Sequence, residues 1–232
     1  MISILTPTRN SPTEFKSMVD SLVKTCSNKS LVEILVKIDD DTDDIKYVES
    51  TLKRSGFKYT ILSSPRGRGI LDIPKYVDEL FKISIGLIVW GIADDIIITT
   101  GDWVKDLMST RDRIQDNIYI AYPKYASKMS QARNNKFRGS GNGTPVLSRE
   151  MYNKLSDYGI LDIPFDCYIR GISNAVPDRT FYINVYTVQK VSNRKKITIV
   201  KKKLSKKNYD KIVENIGLCS TRRSEKKRKR NV

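Results

Sequence analysis

Leu87-Ile88-Val89-Trp90-Gly91-Ile92-Ala93-Asp94-Asp95 is an almost unbroken apolar run that ends in two adjacent acids. The run predicts a buried strand, and the carboxyl end of such a strand is where an open α/β sheet places its chemistry. Two carboxylates there repel each other and resist desolvation unless something neutralises them. A divalent cation carried in by a phosphate ligand would do so. The simpler alternative is that the two acids cap the next turn.

The sequence before this stretch repeats one pattern three times. Ser3-Ile4-Leu5 predicts a short strand, followed by the polar loop Thr6-Pro7-Thr8-Arg9-Asn10. Ser11-Pro12-Thr13-Glu14 then reads as a helix start, with Ser11 as cap, Pro12 in the first turn and Glu14 completing a capping box. Phe15, Met18, Val19, Leu22 and Val23 follow at helical spacing. A second strand, Glu33 to Ile38, ends in Asp39-Asp40-Asp41-Thr42-Asp43-Asp44. It leads to a helix facing inward through Ile45, Val48 and Leu52 and stopped by Gly56. A third strand, Phe57 to Leu62, meets the loop Ser63-Ser64-Pro65-Arg66-Gly67-Arg68-Gly69. A helix with Ile73, Val77, Leu80 and Phe81 follows, and Pro74 has to lie in its first turn. The result is βαβαβαβ, which predicts an α/β fold with a mostly parallel central sheet.

After Asp95 the pattern loosens. Ile96 to Trp103 leads into a helix from about Trp103 to Met108, and Ile118 to Tyr122 predicts a fifth strand. Lys124 to Gly143 is polar, without apolar periodicity, and reads as a candidate lid. Pro145-Val146-Leu147 returns to the core, and Ser148 caps a helix through Leu155. Phe165 to Val176 reads as a helix with Tyr168, Ile169 and Ile172 inward. Phe181 to Val188 alternates as a late strand, and Lys206 to Ile216 has helical spacing.

Composition narrows the chemistry. The chain has 232 residues and no histidine, which excludes Ser-His-Asp and Cys-His catalysis and histidine-ligated zinc. Cys26, Cys167 and Cys219 are odd in number and far apart, which fits a reducing compartment, and a cytoplasmic location is expected. No apolar run is long enough to span a membrane, and the first residues do not read as a signal peptide. The net charge of +16 is uneven: residues 194–232 hold 16 Lys/Arg against 3 Asp/Glu, leaving only +3 on residues 1–193. The expected organisation is a folded domain over 1–193 and a basic extension over 194–232. That extension could address the protein to a nucleus, a nucleic acid or an anionic membrane surface.

Four polar clusters sit at strand ends: Thr6 to Asn10, Asp39 to Asp44, Ser63 to Gly69, and Asp94-Asp95. In a parallel sheet they converge on one crevice, and a nucleoside diphosphate would use all of them. Asp39 or Asp40 can accept from a base N–H or a ribose hydroxyl. Thr6, Pro7 and Thr8 offer loop groups to the base, and Arg9 offers a charge. Arg66 and Arg68 can meet phosphate oxygens, while Gly67 and Gly69 permit close backbone approach. Asp94 and Asp95 are the candidate metal ligands, and Asp94 also faces the nucleotide.

Ser3 to Asn10, Val36 to Asp43 and Gly86 to Asp95, in that order and spacing, resemble the GT-A glycosyltransferases of the family 2 type, over roughly residues 1–190. The resemblance implies a Rossmann-like sandwich, a nucleotide-sugar donor (usually a UDP-sugar), Mn²⁺ or Mg²⁺, and a glycan, protein or lipid acceptor. It maps the base-contacting acid onto Asp39 and the metal acids onto Asp94 and Asp95. It implies an inverting mechanism with a late acid as base, for which Asp166 is preferred to Asp162. The family's metal motif is Asp-x-Asp, whereas this chain has Ala93-Asp94-Asp95 at that point and a strict Asp39-x-Asp41 one strand earlier. An inactive relative, a nucleotidyltransferase on a similar sheet and a protein that binds nucleic acid through the tail stand as alternatives.

Overall fold

The structure is a computed structural model that describes residues 1–99, 101–125, 145–156, 169, 172–173 and 176–189. The expected lid core, Asp162, Asp166, Cys167, the helix at 206–216 and the basic extension lie outside the described residues.

Strands β1 (Ile2–Thr8), β2 (Val32–Asp39), β3 (Lys58–Ser64) and β4 (Ile88–Gly91) alternate with helices α1 (Pro12–Lys24), α2 (Ile45–Ser55) and α3 (Ile73–Ile83). Strand β5 (Ile96–Ile98), helix α4 (Trp103–Asp112), strands β6 (Ile120–Tyr125) and β7 (Val146–Ser148), helix α5 (Arg149–Ser156) and strand β8 (Thr180–Gln189) follow. The eight described strands form one sheet in the order β3-β2-β1-β4-β7-β6-β8-β5. β1 pairs in parallel with both β2 and β4, and β2 with β3. β7 runs antiparallel to β4 and to β6, β8 runs parallel to β6, and β5 runs antiparallel to β8. Only β5 and β7 therefore oppose the common direction, and the carboxyl ends of β1 to β4 share one edge.

Alternation along the strands builds two cores. Ile2 and Ile4 of β1, Ile34, Val36 and Ile38 of β2, and Trp90 of β4 face Phe15, Met18, Leu22, Val48, Leu52 and Leu107 from α1, α2 and α4. Leu5, Leu35 and Val89 point the other way, onto Val77, Leu80 and Phe81 of α3 and Met151, Tyr152 and Leu155 of α5. The sheet is thus sandwiched between helices, as buried parallel strands require. Trp90 and Trp103 meet edge-on at 5.6 Å, an arrangement worth about 0.5–1.5 kcal/mol beyond the area it buries.

Several expected local devices form. Gly56 ends α2 at φ 75°, Pro74 lies in the first turn of α3, and Ser148 Oγ accepts the Met151 N–H at 3.1 Å at the start of α5. The capping box at α1 does not form. Ser11 is the capping position, but its hydroxyl turns back to donate to the Arg9 carbonyl and makes no cap hydrogen bond to the helix. Ile96 to Ile98 is an edge strand rather than a lead-in to a helix, because β8 offers it an antiparallel partner far along the chain. Lys124, placed at the start of the lid by composition, lies in β6, paired with β8 beyond a bulge.

At the amino edge of the sheet Glu33 is buried, and its Oε1 accepts from Ser3 Oγ at 2.6 Å and from the Ile85 N–H at 2.7 Å. Gly86 donates its N–H to Ser3 Oγ, and a Cβ at Gly86 would stand 2.6 Å from the Ser3 backbone nitrogen. This knot, joined by Arg149 donating to the Gly86 and Ser84 carbonyls, fixes where β4 begins.

Candidate functional site

β1 ends by presenting Thr8 and Arg9 to its two neighbours. Thr8 Oγ1 donates to Asp94 Oδ2 at 2.8 Å, which ties β1 to the segment leaving β4. On the other side Arg9 Nη1 donates to Asp39 Oδ2 at 2.6 Å, and the guanidinium grips Asp41 through both nitrogens at 2.5 and 3.1 Å. Asp39-x-Asp41 is thus a clamp on an arginine. The hydrogen bonds from Arg9 hold the Asp41 carboxyl below the usual carboxylate range, and the charge of Arg66 adds to the effect. Arg66 therefore acts at the same edge, as its place after β3 implies.

Asp94 and Asp95 are each 4% exposed. They sit one turn beyond β4, where Ile96 N–H donates to the Ala93 carbonyl. Among the described residues no group of three or more acids or cysteines could hold a metal ion. The two carboxylates form an all-oxygen donor set that suits Mn²⁺ or Mg²⁺. Two carboxylates alone do not fill the six or more oxygen positions of such an ion, so further oxygens from a ligand or water would be needed.

The glycine-arginine loop is organised by α3. Asp72 accepts the Arg68 backbone N–H at 2.7 Å and the Arg68 side chain at 2.6 and 3.0 Å. These bonds lower the Asp72 carboxyl below its ordinary range. Gly67 donates its N–H to the Tyr76 hydroxyl at 3.0 Å, and a Cβ there would stand 2.5 Å from Asp72 Oδ2. Gly67 is therefore needed for packing within the protein, and Gly69 for its φ of 65°. Arg68 is exposed but engaged by Asp72, whereas Arg66 is exposed at the site's edge.

Of the residues expected at the site, Thr8 is hydrogen-bonded to Asp94 and Arg9 to Asp39, and Asp95 follows Asp94 in sequence. Asp40 is exposed, and its N–H extends the β2–β3 ladder to the Ser64 carbonyl. Pro7 is half-buried within β1. Thr6 is fully buried within β1, its hydroxyl without a hydrogen-bond partner among the described residues. Asp102 and Trp103 are structural: Asp102 caps α4 through the Lys105 N–H, and Trp103 is core. Three contributors escaped sequence reasoning. Asp72 and Tyr76 looked like ordinary helix residues, and Lys37 looked like part of a strand. Lys37 carried a usable signal, since strand alternation puts it on the same face as Asp39.

This arrangement of strands and helices is similar to that of several solved structures. S. aureus TarS 1–349 in complex with UDP-GlcNAc matches with a TM-score of 0.62 at 15% identity, over 94% of this chain and 65% of that one. The Pyrobaculum calidifontis mannosyltransferase PcManGT in complex with GDP-Man and Mn²⁺ matches at 0.59 and 14% identity, over 83% and 57%. Glucosyl-3-phosphoglycerate synthase from Mycobacterium tuberculosis, with Mn²⁺, UDP and glucosyl-3-phosphoglycerate, matches at 0.54 and 17%, over 84% and 73%. The fold is that of the GT-A glycosyltransferases. The chain spans less than two thirds of the length of the TarS and mannosyltransferase structures. No protein-family model and no curated protein matches the sequence.

Proposed function

We propose that the protein is a glycosyltransferase that moves a sugar from a nucleotide-sugar donor, a UDP-sugar by preference, to an acceptor hydroxyl. The observation that carries this reading is the meeting of the Thr8–Asp94 pair and the Arg9–Asp39–Asp41 clamp at the shared carboxyl edge of β1, β2 and β4. In this reading Asp39 accepts from the base, and Asp40 lies within reach of the ribose. Arg66 supplies positive charge toward the diphosphate, and Thr8 holds Asp94 in place. The chemistry of Mn²⁺ or Mg²⁺, held by Asp94 and Asp95, would be to offset charge building on the leaving diphosphate. The acceptor oxygen attacks the anomeric carbon as the bond to the diphosphate breaks, and its proton passes to a carboxylate, assigned to Asp166. That order of events inverts the anomeric centre. The acceptor is a glycan, a protein or a lipid. The basic extension, residues 194–232, is assigned a separate role in contacting polyanions, on its net charge of +13.

The test is a panel of nucleotide sugars with Mn²⁺, followed by donor hydrolysis and by thermal shift. A UDP- or GDP-sugar should raise the melting temperature and be hydrolysed, and Asp94→Ala should lose both effects. No stabilisation by any donor, together with unchanged behaviour of Asp94→Ala, would remove the reading.

A further inference from the structure

Lys37 lies on β2, two residues before Asp39, and is only 1% exposed. An ammonium there is costly unless its surroundings compensate for the water it loses. Its three donors have three destinations. Lys37 Nζ donates to the Ile38 carbonyl at 3.2 Å, sits 3.7 Å from Asp39 Oδ1, and lies 4.8 Å from the centre of the Tyr76 ring. The Asp39 contact is an ion pair too long for a hydrogen bond, and the Tyr76 contact is a cation–π interaction. Tyr76 in turn accepts the Gly67 N–H through its hydroxyl. One buried charge therefore links Asp39 to the loop that carries Arg66.

The two cations on Asp39 are not equivalent. Arg9 holds Oδ2 with a side chain that is 24% exposed, whereas Lys37 faces Oδ1 from the interior. An incoming ligand can displace or rearrange Arg9, but the Lys37 side is closed to it.

We propose that Lys37 is a positioning residue for the nucleotide: it fixes Asp39 as an acceptor for the base and, through Tyr76, sets the Arg66–Gly69 loop relative to it. The inference rests on the nucleotide-sugar reading of this site. It implies selection for a base that offers an N–H to a carboxylate, as uracil and guanine do and adenine and cytosine do not at the matching ring nitrogen.

The experiment is calorimetric titration of UDP, GDP, CDP and ADP, with Mn²⁺, into the full chain as wild type, Lys37→Met, Asp39→Asn and the double variant. Wild type should favour UDP or GDP over ADP and CDP. Lys37→Met should lower that preference about tenfold with ADP binding unchanged, and the double variant should bind no worse than Asp39→Asn. A role confined to stability would lower the melting temperature and leave the base preference intact. Retained preference in folded Lys37→Met, or single-variant losses that add in full in the double, overturns the proposal. If Lys37→Met does not fold, Tyr76→Leu removes the ring face instead. A loss of preference of about threefold is then expected, and an unchanged preference overturns the proposal. Failure of wild type to bind any of the four nucleotides removes the nucleotide-sugar reading and this inference together. Selective wild-type binding with an indifferent Lys37→Met removes this inference alone.

Discussion

Thr8→Val isolates the bond that joins β1 to the acid pair. Valine keeps the shape of threonine and replaces only the hydroxyl, so no cavity opens. The lost bond is 2.8 Å long, buried, and made to a carboxylate. Hydrogen bonds to charged groups contribute about 1.5–3 kcal/mol. For a domain of this size each kcal/mol moves the melting temperature by roughly 2–4 °C, so Thr8→Val should melt about 3–12 °C lower. Thr8→Ser keeps the hydroxyl and should recover most of the loss, short of the roughly 1 kcal/mol that a buried methyl contributes. The same loosening should weaken Mn²⁺-dependent nucleotide binding, since Thr8 no longer helps to orient Asp94. Paired thermal melts and titrations of the three proteins measure both effects. A Thr8→Val protein that melts within about 1 °C of wild type would refute the reasoning, because the bond would then not be holding Asp94.

Other perturbations test separate parts of the molecule. Gly86→Ala places a Cβ 2.6 Å from the Ser3 backbone nitrogen, which cannot yield as a flexible side chain would. A loss of about 1–3 kcal/mol in urea unfolding is expected. Gly67→Ala pushes the Tyr76 hydroxyl from its place, so the Arg66–Gly69 loop should become more sensitive to proteolysis while the core stays intact. The Asp72 carboxyl is held below its ordinary range by Arg68, so its stabilisation is complete above the unfolded value near pH 4 and is lost as pH falls through the folded value. The stability gap between wild type and Asp72→Asn, read from unfolding curves across pH, should therefore close on the acid side of about pH 4. Removing residues 194–232 should abolish salt-dependent binding to a polyanion and leave nucleotide-sugar binding unchanged, as measured in parallel titrations.

The first four strands and three helices were legible because each obeys a local rule. Apolar runs of strand length end in polar loops, helical faces recur every three to four residues, and Gly56 and Pro74 punctuate them. The convergence of the clusters was legible too, because a βαβ chain forces parallel strands and gives them one carboxyl edge. Long-range pairing was not. Ile96 to Ile98 becomes a strand only because β8 lies beside it, some 90 residues later. Lys124 is polar like the loop it precedes, yet its backbone pairs with β8. The Ser11 capping box matches a sequence pattern, but the Arg9 carbonyl competes for the same hydroxyl.

At the site, sequence identified residue types and the structure supplied their partners. Asp39-x-Asp41 looks like a metal motif when read along the chain. In space the two carboxylates close on Arg9, which follows the end of β1, and the sequence does not say that they pair with it rather than with a metal. Arg68 looked equivalent to Arg66, but Asp72 claims it from the turn that starts α3.

The most direct measurement of the nucleotide site is calorimetric titration of UDP and GDP, each with and without Mn²⁺, into wild type and Asp39→Ala. Saturable binding of at least one nucleotide to wild type is expected, tighter with Mn²⁺ and lost in a folded Asp39→Ala. Absence of binding to wild type, or binding that survives Asp39→Ala unchanged, would contradict a nucleotide site at the carboxyl edge of β1, β2 and β4.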